Sequence, residues 1–249
     1  FASLGLSPNL CLAAERAGWI QPTSIQEQGI PPILQGQDVL ATAATGSGKT
    51  AAYGLGLLQV LQAAQSSASI SLSASHISAQ KKTAPHSTRR SARVLVIVPT
   101  RELAVQVGQV FKELAPDALR VATVFGGVSI NPQMLALRGG ADIVVATPGR
   151  LLDLVDHNAL HLDNVAHLVL DEVDRLLDLG FTEELNRVLA LLPSKRQNLW
   201  FSATFDDSLQ PLAASMLRQP ARVEIASSAS TEHLEPAIHE RAIAVDEKK

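Results

Sequence analysis

Two short runs carry residue types that could do phosphate chemistry. The first is ATGSGKT, residues 44–50. It meets the pattern G-x-x-x-x-G-K-[ST] only in a relaxed form, with Ala43 in the first glycine position. Gly46 and Gly48 would let the backbone curl so that successive N–H groups point inward at phosphate oxygens. Thr45, Gly46, Ser47, Gly48, Lys49 and Thr50 are therefore candidate nucleotide-binding residues. Lys49 would supply a point charge to the β- and γ-phosphates, and the Thr50 hydroxyl can ligate Mg2+. A Gly/Ser turn that happens to hold a lysine would look similar, but the strand pattern before this run and the helical pattern after it argue against that. The second run is HLVLDEVDRL, residues 167–176. His167 to Leu170 read as a buried strand, and Asp171, Glu172 and Asp174 then crowd the start of a helix. Acids are at home there, because free N–H groups and the helix dipole favour negative charge. Beside a phosphate-binding loop they have a sharper use. Asp171 can hold Mg2+, commonly through water, and Glu172 is placed to orient and deprotonate an attacking water. Val173 should point away from that chemistry and matter for packing.

These residues need a scaffold that aims them at one point. DVLATAA (38–44), RVLVIVP (93–99), RVATVFG (120–126), ADIVVAT (141–147), VAHLVLD (165–171) and QNLWFSA (197–203) all read as buried strands. RELAVQVGQVFKELA and TEELNRVLALL read as helices between them. Apolar strands alternating with helices predict an α/β fold, a mostly parallel sheet with helices on both faces. Ligands bind such sheets at the carboxyl ends of the strands, and most of the unusual residues directly follow a strand. Residues 65–92, rich in Ser and Ala with no sustained period, are expected to be a mobile insertion. Lys81, Lys82, Arg89 and Arg90 in it could attract RNA, although solvated loop charge accounts for them as well.

Composition sets limits. A chain of 249 residues with 46 % hydrophobic and 18 % charged residues can form one large domain. Its apolar runs are strand-sized, which predicts no membrane span, and the first residues lack a signal-peptide pattern. Cys11 is the only cysteine, so no disulfide framework or thiolate metal site is available, and a cytosolic protein fits. The net charge of −3 means that nucleic acid could be bound only through a local patch and backbone donors.

In chain order the sequence also holds GWIQPTSIQ (18–26), PTRELAVQ (99–106), FGG (125–127), TPGRL (147–151), DEVD (171–174) and SAT (202–204). With the phosphate loop, this ordered set resembles the motif series of the first RecA-like domain of DEAD-box RNA helicases. The resemblance covers essentially the whole chain from Phe1 onward. SLGLSPNL, FGGVSINPQM and LPSKRQNLWFSATF further resemble the bacterial RhlE-type branch. The resemblance implies a RecA-like P-loop nucleoside triphosphatase domain over residues 1–235, in which ATP is the substrate and Mg2+ the cofactor. Residues 236–249 would be a linker and the possible start of a second RecA-like domain in the same protein. That domain would supply arginines to the γ-phosphate and the other half of an RNA groove.

Residue by residue, Gln26 matches the glutamine that reads adenine, and an amide suits that task because it both donates and accepts. Phe1, 17 positions before Gly18, matches an isolated aromatic that packs on the adenine ring. Ser202, Ala203 and Thr204 match the motif that couples hydrolysis to strand separation through the acidic motif, with Asp174 in that network. Thr100, Arg101, Gly126, Gly127, Thr147, Pro148, Gly149 and Arg150 match RNA-contacting positions. Contacts of this kind read backbone and 2′-hydroxyls, so binding should be largely independent of sequence. Two departures stand out: Val173 replaces the family alanine, and Ala44 stands where many members carry glutamine.

The expectation is an ATP-dependent RNA helicase core that acts as a monomer and is nearly inactive without its second domain. Two other readings fit parts of the pattern. One is a non-catalytic clamp that holds RNA when ATP is bound, against which intact Lys49, Asp171 and Glu172 argue. The other is a P-loop enzyme acting on DNA or a small molecule, against which GWIQPTSIQ and TPGRL argue. His157 and His161, four apart, could share a helical face, but no third metal ligand is placed near them. Cys11 lies on an amphipathic pattern and is expected to be packed rather than reactive.

Overall fold

A computed structural model describes residues 1–74, 91–205 and 209–225. Seven strands, β1 (Val39–Thr42), β2 (Val94–Ile97), β3 (Val121–Val124), β4 (Ile143–Ala146), β5 (His167–Asp171), β6 (Gln197–Ser202) and β7 (Ala221–Glu224), form one sheet. Its order is β3-β4-β2-β5-β6-β1-β7, and every pairing is parallel. Nine α-helices lie among the described residues: α1 (Pro8–Arg16), α2 (Ser24–Leu34), α3 (Lys49–Ala74), α4 (Arg101–Leu114), α5 (Asn131–Ala136), α6 (Pro148–Asp156), α7 (Val173–Asp178), α8 (Thr182–Leu191) and α9 (Gln210–Met216). None is long and apolar enough to cross a membrane.

The strands are covered on both faces, so they read as continuous apolar runs rather than alternating ones. Within β2, Val94 and Val96 enter one core with α1 to α4, while Leu95 and Ile97 enter the other with α6 to α9. Each such side chain contributes about 1.5–3 kcal/mol by burial. The helix α4 shows how the layers lock. Thr100 caps it, its Oγ1 accepting from Leu103 N at 3.2 Å. Ala104, Val107, Gly108 and Phe111 then form its buried stripe. At Gly108 a Cβ would collide with Thr123 of β3, so only glycine permits this approach.

Six strands fall where the apolar runs predict them. The seventh, β7, has no such run: Arg222 and Glu224 are exposed and only Val223 is buried. It is a strand because its backbone completes the edge beside β1, with Val39 opposite Ala221 and Thr42 opposite Glu224. The expected insertion is also corrected in part. The helix α3 continues to Ala74, ten residues into the stretch read as irregular, because Ser and Ala are tolerated in a helix once a buried first half has nucleated it. Residues 75–90, with Lys81, Lys82, Arg89 and Arg90, lie outside the described residues.

Candidate active site

The strand order sorts the motifs in space. The loops after β3, β4 and β2 carry FGG, TPGR and PTRE, and the ends of β5, β6 and β1 carry DEVD, SAT and the phosphate loop. All emerge on the carboxyl edge. A cleft of about 450 Å3 on this edge is lined by Trp19, Gln26, Lys49, Thr50, Asp171 and Glu172, among others.

The first turns of α3 tie three strand ends together. Gly46 (φ 79°) and Gly48 (φ 97°) take left-handed conformations in the loop after β1. Lys49, 7 % exposed, donates from Nζ to Ala43 O beyond β1 at 2.8 Å and to Ser202 O of β6 at 3.4 Å. Tyr53, fully buried against the rings of Phe111 and Phe201, donates from its hydroxyl to Asp171 Oδ2 of β5 at 2.7 Å. Asp171 Oδ1 accepts from Glu172 N at 3.0 Å. Burial pushes the Asp171 carboxyl up to about 6, with the neighbouring Glu172 charge adding to the rise and the Tyr53 bond and Lys49 charge opposing it. Burial, and then the Asp171 charge, raise the Tyr53 phenol well above its ordinary value.

The acids do not serve α7 as ordinary caps. Glu172 sits at φ 52°, ψ 55°, left-handed for a non-glycine residue, and its side chain makes no capping bond. Such a conformation costs on the order of 1–3 kcal/mol. Its Oε2 is buried without a hydrogen-bond donor and lies 3.5 Å from Arg175 Nη1. Val173 turns the other way, fully buried in the core with Leu170 and Leu176. It packs, as its position between the acids led us to expect.

Asp174 forms the link to β6. Its Oδ2 accepts from Ala203 N (3.2 Å), Thr204 N (3.1 Å) and Thr204 Oγ1 (3.0 Å), while Asp174 N donates to Ser202 Oγ at 3.4 Å. Partial burial works to raise the Asp174 carboxyl, but the N–H groups of Arg175 and Thr204 and the Ser202 and Thr204 hydroxyls outweigh it and hold it below its ordinary value.

Gln26 is wedged against the phosphate loop. Its Oε1 accepts from Thr23 N at 3.0 Å and its Nε2 donates to Gly48 O at 3.3 Å. The Thr23 hydroxyl adds a bond to Ser47 O at 2.8 Å. A Cβ at Gly48 would strike the Gln26 amide, so this glycine is needed for contact as well as for its turn. These bonds use one N–H and one lone pair of the amide and leave one of each. Phe1 is half-buried and packs against the core shared by α1 to α4, and Trp19 is the aromatic among the residues lining the cleft.

The nucleic-acid candidates divide into two kinds. Arg101 and Gly127 are exposed, with the Arg101 guanidinium 5.0 Å from the centre of the Phe125 ring. Thr147 and Arg150 are buried and serve the FGG loop instead. Thr147 Oγ1 accepts from Gly126 N at 3.3 Å, and Arg150 Nη2 donates to Val128 O at 2.7 Å. Pro148 is buried, Gly149 half-buried, and Thr100 is occupied as the α4 cap. Gln133 braces the same loop, bonding Phe125 N at 3.0 Å and Phe125 O at 3.1 Å. Neither Gln133 nor Tyr53 has a signal in the sequence beyond its place near a motif. Trp19 lay inside a quoted motif and could have been read from its aromatic type.

The donor set suits Mg2+. Thr50 and Asp171 offer hard oxygens, and the buried Asp171 carboxylate lacks a full counter-charge. Mg2+ commonly takes one or two carboxylates and the rest of its oxygens from phosphates and water, and no group of three or more His, Cys, Asp or Glu that could hold a metal lies among the described residues. His157 and His161 do not share a helical face: α6 ends at Asp156, and His157 Nδ1 lies 2.6 Å from Asp153 O. Cys11 is half-buried on α1, its Sγ 3.8 Å from Leu6 O.

The sequence profile of the DEAD/DEAH box helicase family matches residues 23–212. A DEAD-box ATP-dependent RNA helicase CshA of Streptococcus pneumoniae is 38 % identical over 235 residues, 94 % of this chain and 40 % of that protein. CshA of Bacillus cereus is 36 % identical over 250 residues, 100 % of this chain and 42 % of that protein. The crystal structure of a DEAD box protein from Methanococcus jannaschii superposes with a TM-score of 0.74 at 31 % identity, covering 90 % of this chain and 55 % of that one. The chain thus spans less than half the length of these two curated relatives.

Proposed function

Because the chain belongs to the DEAD/DEAH box helicase family, we propose that residues 1–235 are the first, ATP-binding RecA-like half of an ATP-dependent RNA helicase. One observation carries this reading: a single cleft gathers Gln26, Lys49, Thr50, Asp171 and Glu172. Residues 236–249 would lead into a second RecA-like domain, and the whole would act in the cytosol as a monomer that remodels short RNA duplexes. The relatives above bear the name CshA; the motifs SLGLSPNL and FGGVSINPQM support a placement nearer the RhlE-type branch.

In this reading the remaining N–H and lone pair of Gln26 select adenine, and Trp19 offers the base an aromatic face. Phosphates draw Lys49 Nζ away from the carbonyls of Ala43 and Ser202. Thr50 and Asp171 would hold Mg2+, which when bound neutralises charge on the β- and γ-phosphates. Glu172 Oε2, buried and without a donor, takes a proton from the attacking water. The water oxygen bonds to the γ-phosphorus as the bond to the ADP oxygen breaks. Asp174 couples the acidic run to Ser202 and Thr204 through the bonds already described. Arg101, Gly126, Gly127 and Gly149 meet the RNA backbone directly; Thr147 and Arg150 hold the loop that does so.

The test compares nucleotides and lengths of chain. The 249-residue chain should bind ADP and ATP with Mg2+ more tightly than GTP, and Gln26→Ala should flatten that preference. Equal affinity for all nucleotides in the unmutated chain would sink the adenine assignment. RNA-stimulated hydrolysis should be slight until a second RecA-like domain is joined. In that longer protein Glu172→Gln should bind ATP and RNA but turn over about a hundredfold or more slowly. Duplex unwinding by the isolated chain would overturn the proposed boundary.

A further inference from the structure

The site contains a buried tyrosine that the chemistry above does not use. Tyr53 lies one helical turn beyond Lys49 and Thr50 on α3, so it shares the rigid frame of the phosphate loop. Its hydroxyl crosses β6, the strand between β1 and β5, to reach Asp171 Oδ2 at 2.7 Å. Its ring packs against Phe111 and Phe201 at centroid distances of 6.1 and 5.1 Å. Together with the Glu172 N–H on Oδ1, this gives each Asp171 oxygen one donor and leaves each with lone pairs facing the cleft.

We propose that Tyr53 is a positioning residue: its hydroxyl bond to Asp171 sets the distance and orientation between the two halves of the Mg2+ site, Thr50 on α3 and the carboxylate on β5. The inference rests on the reading of this cleft as a Mg2+–nucleotide site. The physical reason is that Thr50 and Asp171 belong to elements separated by a strand, and Mg2+ demands near-ideal octahedral geometry. Lys49 also joins strand ends, but the phosphates compete for it. The tyrosine bond is the tie that survives nucleotide binding.

The test is ADP affinity as a function of Mg2+ concentration, with ADP in EDTA as the reference. In Tyr53→Phe the Mg2+ concentration needed for half of the affinity gain should rise about three- to tenfold, the effect of losing one hydrogen bond of typical net strength. Affinity in EDTA should change less than about twofold. Phe111→Leu, which loosens the same ring without touching the hydroxyl, should lower the melting temperature and leave the Mg2+ midpoint in place. An unchanged midpoint in folded Tyr53→Phe, or an equal shift in Phe111→Leu, overturns the assignment. Tyr53 is the only tyrosine in the chain, so uniform fluorotyrosine labelling reports on it alone without mutation. Its fluorine resonance should move when Mg2+ is added to the ADP-bound chain and stay put when ADP is added in EDTA. A resonance blind to Mg2+ overturns the proposal even if Tyr53→Phe does not fold. Absence of any Mg2+-dependent ADP binding by the unmutated chain would overturn the functional reading as well, which separates the two failures.

Discussion

The two edges of the sheet handle buried polar groups in opposite ways. At the amino edge, Asp38 accepts from Asn198 N (2.7 Å), Asn198 Nδ2 (3.4 Å) and Arg218 N (2.8 Å). Beside it, Gln197 Nε2 donates to Ile33 O and Gln37 O at 3.1 and 2.7 Å, and Gln197 Oε1 meets His167 Nδ1 at 2.8 Å. Asp38, Gln197 and Asn198 close gaps between strands and the α2 or α9 region, and His167 ties β5 to β6. At the carboxyl edge Asp174 is also well supplied, but the two acids before it are not at rest: buried Asp171 is pushed up to about 6, and half-buried Glu172 is left-handed with an Oε2 that has no hydrogen-bond donor. Saturated networks hold a fold together, whereas strained and undersupplied groups are held ready for something that is not part of the chain.

The comparison predicts opposite signs for polar substitutions at the two edges. The largest effect should come from Asp38→Ala, which strands the N–H groups of Asn198 and Arg218. Stability should fall by roughly 3–5 kcal/mol with nucleotide affinity unchanged in the protein that remains folded. Urea denaturation and calorimetric ADP titration would check it, and a small stability loss would show that the amino-edge network is dispensable.

Asp171→Asn should do the reverse. A carboxyl whose folded pKa is raised stabilises the fold below its unfolded value, and that contribution is lost as pH rises from about 4 to about 6. Above that window the unmutated chain buries an ionised carboxylate at a cost the asparagine avoids. The variant should therefore be more stable by roughly 2–3 kcal/mol at pH 7.5, with the gain vanishing near pH 4, while Mg2+-dependent nucleotide binding is lost. Melting curves across this range decide it; a pH-independent difference would mean that Asp171 is not held as described.

The smallest effect should be at Glu172. Glycine tolerates the left-handed backbone there, so Glu172→Gly should gain up to about 1 kcal/mol despite glycine's entropy cost. Its thermal melt would show this, and a clear loss would imply that the glutamate side chain stabilises the resting fold.

How much of this was legible beforehand varied with the physics behind each feature. Strands β1 to β6 showed as apolar runs because both faces of the sheet are covered, and β7 did not because an edge strand needs only backbone pairing. The phosphate loop, the acids and SAT were readable because phosphate and metal chemistry permits few residue types. Arg150 was a charge in a loop motif; only coordinates reveal that it is 8 % exposed and bonded to Val128 O, so that it shapes the loop from beneath. Phe1 matched a spacing, whereas the place of Trp19 in the cleft lining shows only in the fold. The Tyr53–Asp171 bond joins residues 118 apart, and no local pattern encodes such a meeting.

The position of β1 in the sheet has a consequence for how the protein is made. Its only neighbours are β6 and β7, and the pair Asp38 and Asn198 at their base is separated by 160 residues. During synthesis at about 5–20 residues per second, the strand that bears the phosphate loop waits roughly 8–32 s for its first partner to leave the ribosome. Throughout that interval an apolar strand with both edges open is presented to the cell, and Val39, Leu40 and Ala41 offer a template for pairing with other nascent chains. Slowing translation between β5 and β6 should therefore lower the soluble yield of this domain more than the same delay placed after β7.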